Sequence, residues 1–157
     1  MSGTMASANP VTHADRVLDL LVEGPEAAGV SDADLRRFFP GSTLTGVRLN
    51  RLRNWPRIVV RLDGARVGIA TFTQTHGETH IPDFAVHLAS GIRSDRSCLE
   101  RRVLYALLDA IDLASKAGGC HRIVLIRSGV AAADLERRGY ERINEGCAGA
   151  WMEKSLL

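Results

Sequence analysis

The chain has 157 residues, of which 45% are hydrophobic and 24% charged, and its formal net charge is +2. These values fit one soluble globular domain and exclude a helical membrane protein, because no stretch approaches the ~18 consecutive apolar residues of a membrane-spanning helix. So small a net charge gives no support to a nucleic-acid partner. We predict a disordered segment over residues 1–10, without the basic start and apolar core of a secretory signal, and a single domain over residues 11–157. A cytoplasmic location is the expectation.

The first third of the chain carries signals for two short helices. Thr12 and Asp15 form a capping pair ahead of an apolar stripe over residues 17–22, which predicts a helix that ends at Gly24-Pro25. Ser31 repeats the capping signal for a second helix. That helix carries Phe38 and Phe39, which we interpret as core residues.

The strongest local signal is a β-hairpin. Residues 57–62 and 66–73 are rich in β-branched side chains and flank Asp63-Gly64, a pair typical of tight hairpin turns. Apolar residues over 47–52 predict an additional strand segment ahead of the hairpin. His76-Gly77 marks the turn into the next strand.

Arginines are dense in this region and in the whole chain, since 18 of the 20 basic residues are Arg. The densest run comprises Arg48, Arg51, Arg53, Arg57 and Arg61. We interpret it as a solvated face of the sheet, because Trp55 is the one aromatic residue that interleaves and a nucleic-acid or anionic-substrate surface would have more.

Residues 78–116 predict a strand, a polar turn and a long helix. Ile81 and residues 84–86 form the apolar run of a central strand, and apolar residues then recur at helical spacing. Ser97 and Glu100 form a capping box, so the helix is predicted to begin near Cys98. Its free N–H groups then face Arg93 and Arg96, an arrangement that favours a phosphate.

The remaining elements complete a mixed sheet. They are a helix stop at Gly118-Gly119, a strand over 122–126, a short helix over 131–138 closed by Gly139, a strand over 140–143, a turn over 144–146 and a last strand over 150–154. The strand, helix and strand across residues 79–126 form a crossover, so those two strands are expected to be parallel.

From about residue 58 to the C-terminus, this order resembles the GCN5-related N-acetyltransferase (GNAT) family. Phe84-Ala-Val-His87 is similar to the strand end that precedes the family's pyrophosphate-binding turn, Ser128 to Tyr140 to its late helix, and Ala150 to Leu156 to its closing strand. The resemblance implies an α/β fold, with a mixed, mostly antiparallel sheet flanked by helices on both faces. The strand that the family places first is not evident in residues 2–10.

The resemblance also implies an acyl-coenzyme A-dependent N-acyltransferase, acetyl-coenzyme A or another acyl-coenzyme A as co-substrate, and direct transfer to a small amine. Two positions depart from the family pattern. The turn from Arg93 to Cys98 keeps the arginine but lacks both small residues, and Leu135 stands where a tyrosine usually precedes Gly139 by four residues. A second hypothesis is therefore a catalytically inactive binding or regulatory module, although we favour the enzyme. A homodimer is left open.

The family motif assigns the cofactor contacts to residues at the strand end, in the turn and at the start of the late helix: Ala85, Val86, Arg93, Ser94, Arg96, Ser97, Cys98 and Ser128. We interpret Cys98 as a small residue in a glycine position rather than a nucleophile. Cys98, Cys120 and Cys147 are odd in number and lack metal-ligand spacing, so free thiols and no metal are expected.

The candidate catalytic residues are His80, Glu78 and Ser128. His80 matches the first histidine of the pair that removes the amine proton in arylalkylamine N-acetyltransferases, and Pro82 stands at the second. Glu78 and Asp83 compete for the same role, and simple strand alternation puts Asp83 on the face opposite His80. Ser128 offers a hydroxyl to the cofactor. We interpret Tyr140 as a core residue.

Overall fold

The structure, a computed structural model, describes residues 18–23, 31–40, 46–88, 96–126, 130–143 and 151–157; the side chains of 18–23, 96 and 97 are not described. The segment 1–10 and the turn at 144–146 lie outside these ranges. Among the described helices, none has the length and apolar character needed to span a bilayer.

Seven strands and four helices make up the described fold. The strands are β1 (Leu18–Glu23), β2 (Arg57–Leu62), β3 (Ala65–Thr75), β4 (Glu78–Val86), β5 (Arg122–Ile126), β6 (Glu141–Arg142) and β7 (Trp151–Ser155). The helices are α1 (Asp32–Phe38), α2 (Gly46–Asn54), α3 (Arg96–Ala117) and α4 (Ala132–Glu136). The strands form one sheet in the order β1-β2-β3-β4-β5-β7-β6. β4 and β5 are parallel across α3, whereas the other pairs are antiparallel, which confirms the predicted mixed sheet.

Helices cover both faces of this sheet, as predicted. On one face α3 and α4 enclose the larger core, and α3 approaches β3 closely at Gly68, where an added Cβ would lie 3.3 Å from Val103 Cγ1. On the other face α1 and α2 enclose a smaller core that includes Phe38 and Phe39. Both phenylalanines are buried, in agreement with their interpretation as core residues.

The predicted helix ending at Gly24 is wrong, because residues 18–23 form β1. This segment pairs with β2 in an antiparallel ladder that runs from Leu18 opposite Leu62 to Glu23 opposite Arg57. This ladder pairs the backbone groups of β1 that face β2 and outweighs the local capping signal at Thr12. β1 is also the first strand that the family resemblance requires, at 18–23 rather than in residues 2–10.

The predicted strand over 47–52 is wrong as well, since these residues lie in α2. Leu49 and Leu52 are three residues apart and both pack on the smaller core. Arg48 and Arg51 repeat the same spacing and reach a common partner, Asp83. Side chains three positions apart share one face of a helix, so the pattern is helical even though the segment is short.

The interpretation of the arginine run as a solvated sheet face is also wrong. Arg48, Arg51 and Arg53 belong to α2, and Arg53 binds Asp32 of α1. Arg57 of β2 is buried and donates a hydrogen bond to the Leu52 carbonyl. These arginines join α2 to the sheet and to α1 because each finds an oxygen partner there.

The predicted turns agree with the structure. Asp63 and Gly64 have positive φ angles of 51° and 88°, and His76 and Gly77 have 52° and 78°, as tight hairpin turns require. Ser31 caps α1 by accepting a hydrogen bond from the Asp34 N–H at 3.1 Å. α3 begins at Arg96 rather than near Cys98, so Ser97 lies inside the first turn and not before it.

Candidate functional site

A groove lies between α3 and α4, beside the end of β4. Its volume is about 290 Å³, and its walls come from Val86, Glu100, Arg101, Leu104, Val130, Ala131 and Asp134. Val86 is the last residue of β4, and the other walls come from the second and third turns of α3 and from α4 with the two residues before it. The groove therefore extends from the sheet toward the start of α3.

The described ladder between β4 and β5 ends beside this groove. Their ladder runs from Glu78 opposite Arg122 to Ile81 opposite Leu125, whereas β4 itself continues to Val86. Backbone N–H and C=O groups on the β5 side of β4 beyond Ile81 thus lie outside the described ladder. Such groups need other partners, and an extended ligand between the strands would supply them.

A β-bulge in β4 determines which side chains share a face. Thr71 pairs with Asp83 and Thr73 with His80, so two residues of β4 stand opposite the single residue Phe72. Pro82 lies in the bulge, where its missing N–H costs no ladder hydrogen bond. Ile81 and Phe84, three residues apart, consequently pack in the same core beneath α3.

The bulge corrects the prediction that Asp83 faces away from His80. Asp83 contacts α2, and alternation from Ile81 puts His80 and Glu78 on that same face. Regular alternation fails here because one extra residue shifts every side chain beyond it to the other face.

His80 and Glu78 form a hydrogen-bonded pair at the start of β4. The His80 Nε2 lies 3.1 Å from Glu78 Oε1, and 38% of the imidazole side chain is exposed. Arg122 of β5 donates to the other Glu78 oxygen at 2.7 Å and also binds Glu153 of β7. Glu78 therefore holds the imidazole on one side and is itself held on the other.

This environment makes Glu78 a weak proton acceptor. The hydrogen bond from Arg122 lowers the pKa of Glu78 more than partial burial raises it, and His80 adds to the decrease. A carboxylate with a lowered pKa binds a proton less readily. The position of Glu78 therefore fits a residue that orients the His80 imidazole better than one that replaces His80 as the base.

Asp83 serves the attachment of α2. It is buried and accepts hydrogen bonds from Arg48 Nε at 2.9 Å, Arg51 Nε at 2.7 Å and Thr71 Oγ1 at 2.6 Å. Burial alone would raise the pKa of Asp83, but the hydrogen bonds from Arg51, Thr71 and Arg48 outweigh it and hold the pKa below its ordinary value. A carboxylate so fully engaged is not a candidate base.

The predicted cofactor contacts divide into three groups. Val86 lines the groove, whereas Ala85 is buried in the smaller core on the other face. Cys98 is exposed in the first turns of α3, where Arg96 and Ser97 begin the helix with side chains that are not described. The remaining three, Arg93, Ser94 and Ser128, lie outside the described residues.

Two groove residues were missed by the sequence reasoning. Arg101 of α3 and Asp134 of α4 face each other with Nε and Oδ1 3.6 Å apart. Arg101 lies one turn beyond Ser97 on the helix whose start was the predicted phosphate site. Residues four positions apart share one face of a helix, and this spacing could have pointed to Arg101. Asp134 offered none, because its approach to Arg101 depends on how α4 packs.

Leu135 and Tyr140 belong to the core beneath α3, as predicted for Tyr140. The Tyr140 hydroxyl has no hydrogen-bond partner among the described groups. Burial, together with the charge of Asp112, raises the pKa of Tyr140 far above its ordinary value. No group of three or more metal-ligating side chains occurs within the described ranges.

The fold is similar to those of several acetyltransferases. IAA acetyltransferase from Bacillus cereus aligns with a TM-score of 0.61 and 13% identity, covering 89% of this chain and 100% of that one. A GNAT family acetyltransferase from Elizabethkingia anophelis, solved with acetyl-CoA bound, gives 0.61 and 12%, covering 88% and 98%. Ard1 from Thermoplasma volcanium gives 0.53 and 17%, covering 89% and 98%. No protein-family model matches the sequence, and a search of curated proteins finds no match either. At such identities the likeness is one of fold.

Proposed function

We propose that this chain, which has the fold of the GCN5-related N-acetyltransferases, is an N-acyltransferase that moves an acyl group, in the simplest case acetyl, from coenzyme A to a small amine. The observation that carries the proposal is that the described ladder between β4 and β5 ends at Ile81, five residues before β4 itself ends at Val86. The groove adjoins it on the α3 face, and His80 lies on the opposite face. A donor that passed between the strands would present its acyl end on the face of His80.

The donor site would combine backbone and charged groups. The N–H and C=O groups of β4 beyond Ile81, which lie outside the described ladder with β5, suit the amides of the pantetheine arm. Arg93 and Arg96, with the N-terminus of α3, suit the pyrophosphate. Ser128 adds a hydroxyl contact. Coenzyme A, when bound, supplies a thioester whose thiolate is the leaving group.

His80 is the proposed general base. As the amine nitrogen forms the new C–N bond and the C–S bond breaks, His80 accepts the amine proton, directly or through a water. With Nε2 donating to Glu78, the lone pair of Nδ1 is left to accept that proton. Glu78 also stabilises the imidazolium that results.

The side chains of this protein offer less help to the departing thiolate than His80 offers to the amine. Leu135 replaces the usual tyrosine, and the Tyr140 hydroxyl is buried in the core. A coenzyme A thiolate is nevertheless a tolerable leaving group, and positioning of the two reactants alone lowers the barrier by several kcal/mol. Catalysis should therefore depend on positioning and on proton removal at His80.

The test is thiol release by the wild type and His80→Gln across pH 5.5 to 9, with a panel of small amines. A general base acts only in its unprotonated form, so wild-type turnover should rise with pH in this assay. His80→Gln should remove most of that rise. A pH profile that survives the substitution would leave an enzyme but exclude His80 as its base.

The same assay addresses the alternative of a module without catalysis. That hypothesis predicts no turnover with any amine and no effect of His80→Gln. The altered turn and Leu135 favour it, whereas the His80–Glu78 pair on the open face of β4 favours the enzyme.

The phosphate contacts are tested separately by the double substitution Arg93→Ala and Arg96→Ala. Loss of a charge-assisted hydrogen bond costs about 1.5 to 3 kcal/mol, so calorimetry should show markedly weaker coenzyme A binding. Arg53→Ala, which removes an exposed arginine bound to Asp32, is the matched control. Equal affinity of the double variant and the control would refute the assignment.

A further inference from the structure

An ion pair spans the groove between α3 and α4. Arg101 comes from one wall and Asp134 from the other, and the Arg101 side chain is 53% exposed. Glu100 adds a second carboxylate to the lining, so the described walls carry two carboxylates and one guanidinium. A groove that receives a phosphate-bearing donor should instead carry more positive than negative charge.

Arg101 is free to change partner at small cost. An exposed ion pair contributes at most about five-fold to an equilibrium, whereas a charge-assisted hydrogen bond to a phosphate contributes about ten-fold or more. Asp134 would keep a partner, because Arg137 Nη1 donates to the same Oδ1 at 3.2 Å. The exchange therefore leaves no buried charge without a counter-ion.

We propose that Arg101 binds a phosphate of the acyl donor and that Asp134 competes for it. Asp134 then sets the affinity of the groove by holding Arg101 in the empty state. This inference rests on the proposed use of coenzyme A. It assigns a phosphate contact that the turn from Arg93 to Cys98 does not contain.

Calorimetric titration with coenzyme A and with pantetheine, which lacks phosphates, tests the inference. Asp134→Asn should tighten coenzyme A binding by about two- to five-fold and leave pantetheine binding unchanged. Arg101→Gln should weaken coenzyme A binding by about two- to five-fold in the wild type, because the lost phosphate contact is offset by the ion pair that no longer has to break, and by about ten-fold in the Asp134→Asn background; pantetheine binding should not change in either case. The gain from Asp134→Asn should shrink in the Arg101→Gln background. Asp109→Asn, which alters another exposed ion pair of α3, is the control.

The outcomes separate this inference from the proposed function. Coenzyme A binding that is equal in the wild type, Asp134→Asn and Arg101→Gln overturns the role of Arg101 and leaves the acyltransferase standing. A parallel gain for pantetheine also overturns it, because the effect would then come from groove shape. Coenzyme A binding that is detected for Asp134→Asn but not for the wild type or Arg101→Gln supports the inference. If coenzyme A binds neither the wild type nor any variant, and the melting temperatures show that all of them are folded, both this inference and the proposed function are overturned.

Discussion

Asp83 and Glu78 are carboxylates of one strand with different roles, set by their partners. Glu78 is partly exposed and bridges His80 and Arg122, whereas Asp83 is buried beneath Arg48 and Arg51. The first arrangement leaves the imidazole open to a substrate. The second consumes every oxygen lone pair that a base would need.

Asp83→Asn should destabilise the fold by roughly 2 to 4 kcal/mol at neutral pH, because Arg48 and Arg51 lose their charged partner. Asp109→Asn, at an exposed pair with Arg138, should cost less than about 1 kcal/mol. Urea unfolding of both variants measures the difference. Similar small losses would mean that Asp83 does not anchor α2.

The contribution of Asp83 should also depend on pH. Its pKa is lowered in the folded state from the ordinary value of 3.8, so its stabilisation is fully present above about pH 4 and is lost as the pH falls through the folded pKa. The gap in unfolding free energy between the wild type and Asp83→Asn should therefore be largest at neutral pH and shrink toward pH 3. A gap independent of pH would contradict the charged pairing.

Tyr140→Phe should leave both stability and turnover nearly unchanged. The hydroxyl is buried and has no partner among the described residues, so its removal deletes no hydrogen bond within that part of the chain and relieves a desolvation cost. We expect a change within about 1 kcal/mol in urea unfolding, with thiol release retained. A large loss of turnover at intact stability would instead identify Tyr140 as the proton donor to the thiolate.

The role of Asp83 was not predictable from the sequence for two physical reasons. The bulge at Pro82 depends on the pairing of β3 with β4, and the partners Arg48 and Arg51 lie some 30 residues away on a helix whose position the tertiary packing decides. His80 and Glu78 were predictable because an unbroken strand puts residues two apart on the same face.

At the scale of elements, the long helix α3 was predicted from the helical spacing of its apolar residues, and its burial gives a direct test. Leu107 is fully buried against the sheet, whereas Leu113 of the same helix is 68% exposed. Leu107→Ala should cost about 2 to 4 kcal/mol, and Leu113→Ala less than about 0.5 kcal/mol. Both are Leu→Ala changes in one helix interior, so helix propensity cancels in the comparison. Equal losses would mean that the helix face is misassigned.

Strong local chemistry explains which elements were predicted. The turns at Asp63-Gly64 and His76-Gly77 require positive φ angles, which few residue pairs adopt easily, and they delimit β2, β3 and β4. For β1 and α2 the local signals decide less: Gly24-Pro25 follows β1 directly, but such a stop fits a helix as well as a strand. Their short apolar patterns fit more than one period, and contacts with β2 and Asp83 decide between them.

On the scale of the whole molecule, the sheet joins the two halves of the candidate site. The single parallel pair, β4 and β5, ends where the groove begins, and the antiparallel strands on either side hold it in place. The pairing of β2 with β3 and the parallel pairing of β4 with β5 were predictable, because hairpin and crossover connections leave few alternatives, whereas the place of β7 between β5 and β6 was not. The donor and acceptor chemistry was not predictable either, since it depends on side chains that meet only after folding.

Coenzyme A binding should be visible in the stability of the whole domain, independently of turnover. A ligand that binds only the folded state stabilises it by about 2.7 kcal/mol at 100 times its Kd, which for a domain of this size raises the melting temperature by roughly 5 to 10 °C. We expect such a rise with coenzyme A for the wild type and for His80→Gln, because His80 is not a donor contact. The Arg93→Ala and Arg96→Ala double variant should show a smaller rise at the same concentration. A rise in the wild type without thiol release from any amine would favour the binding module, since it separates donor recognition from transfer. No rise at saturating coenzyme A would exclude the acyl donor for both hypotheses.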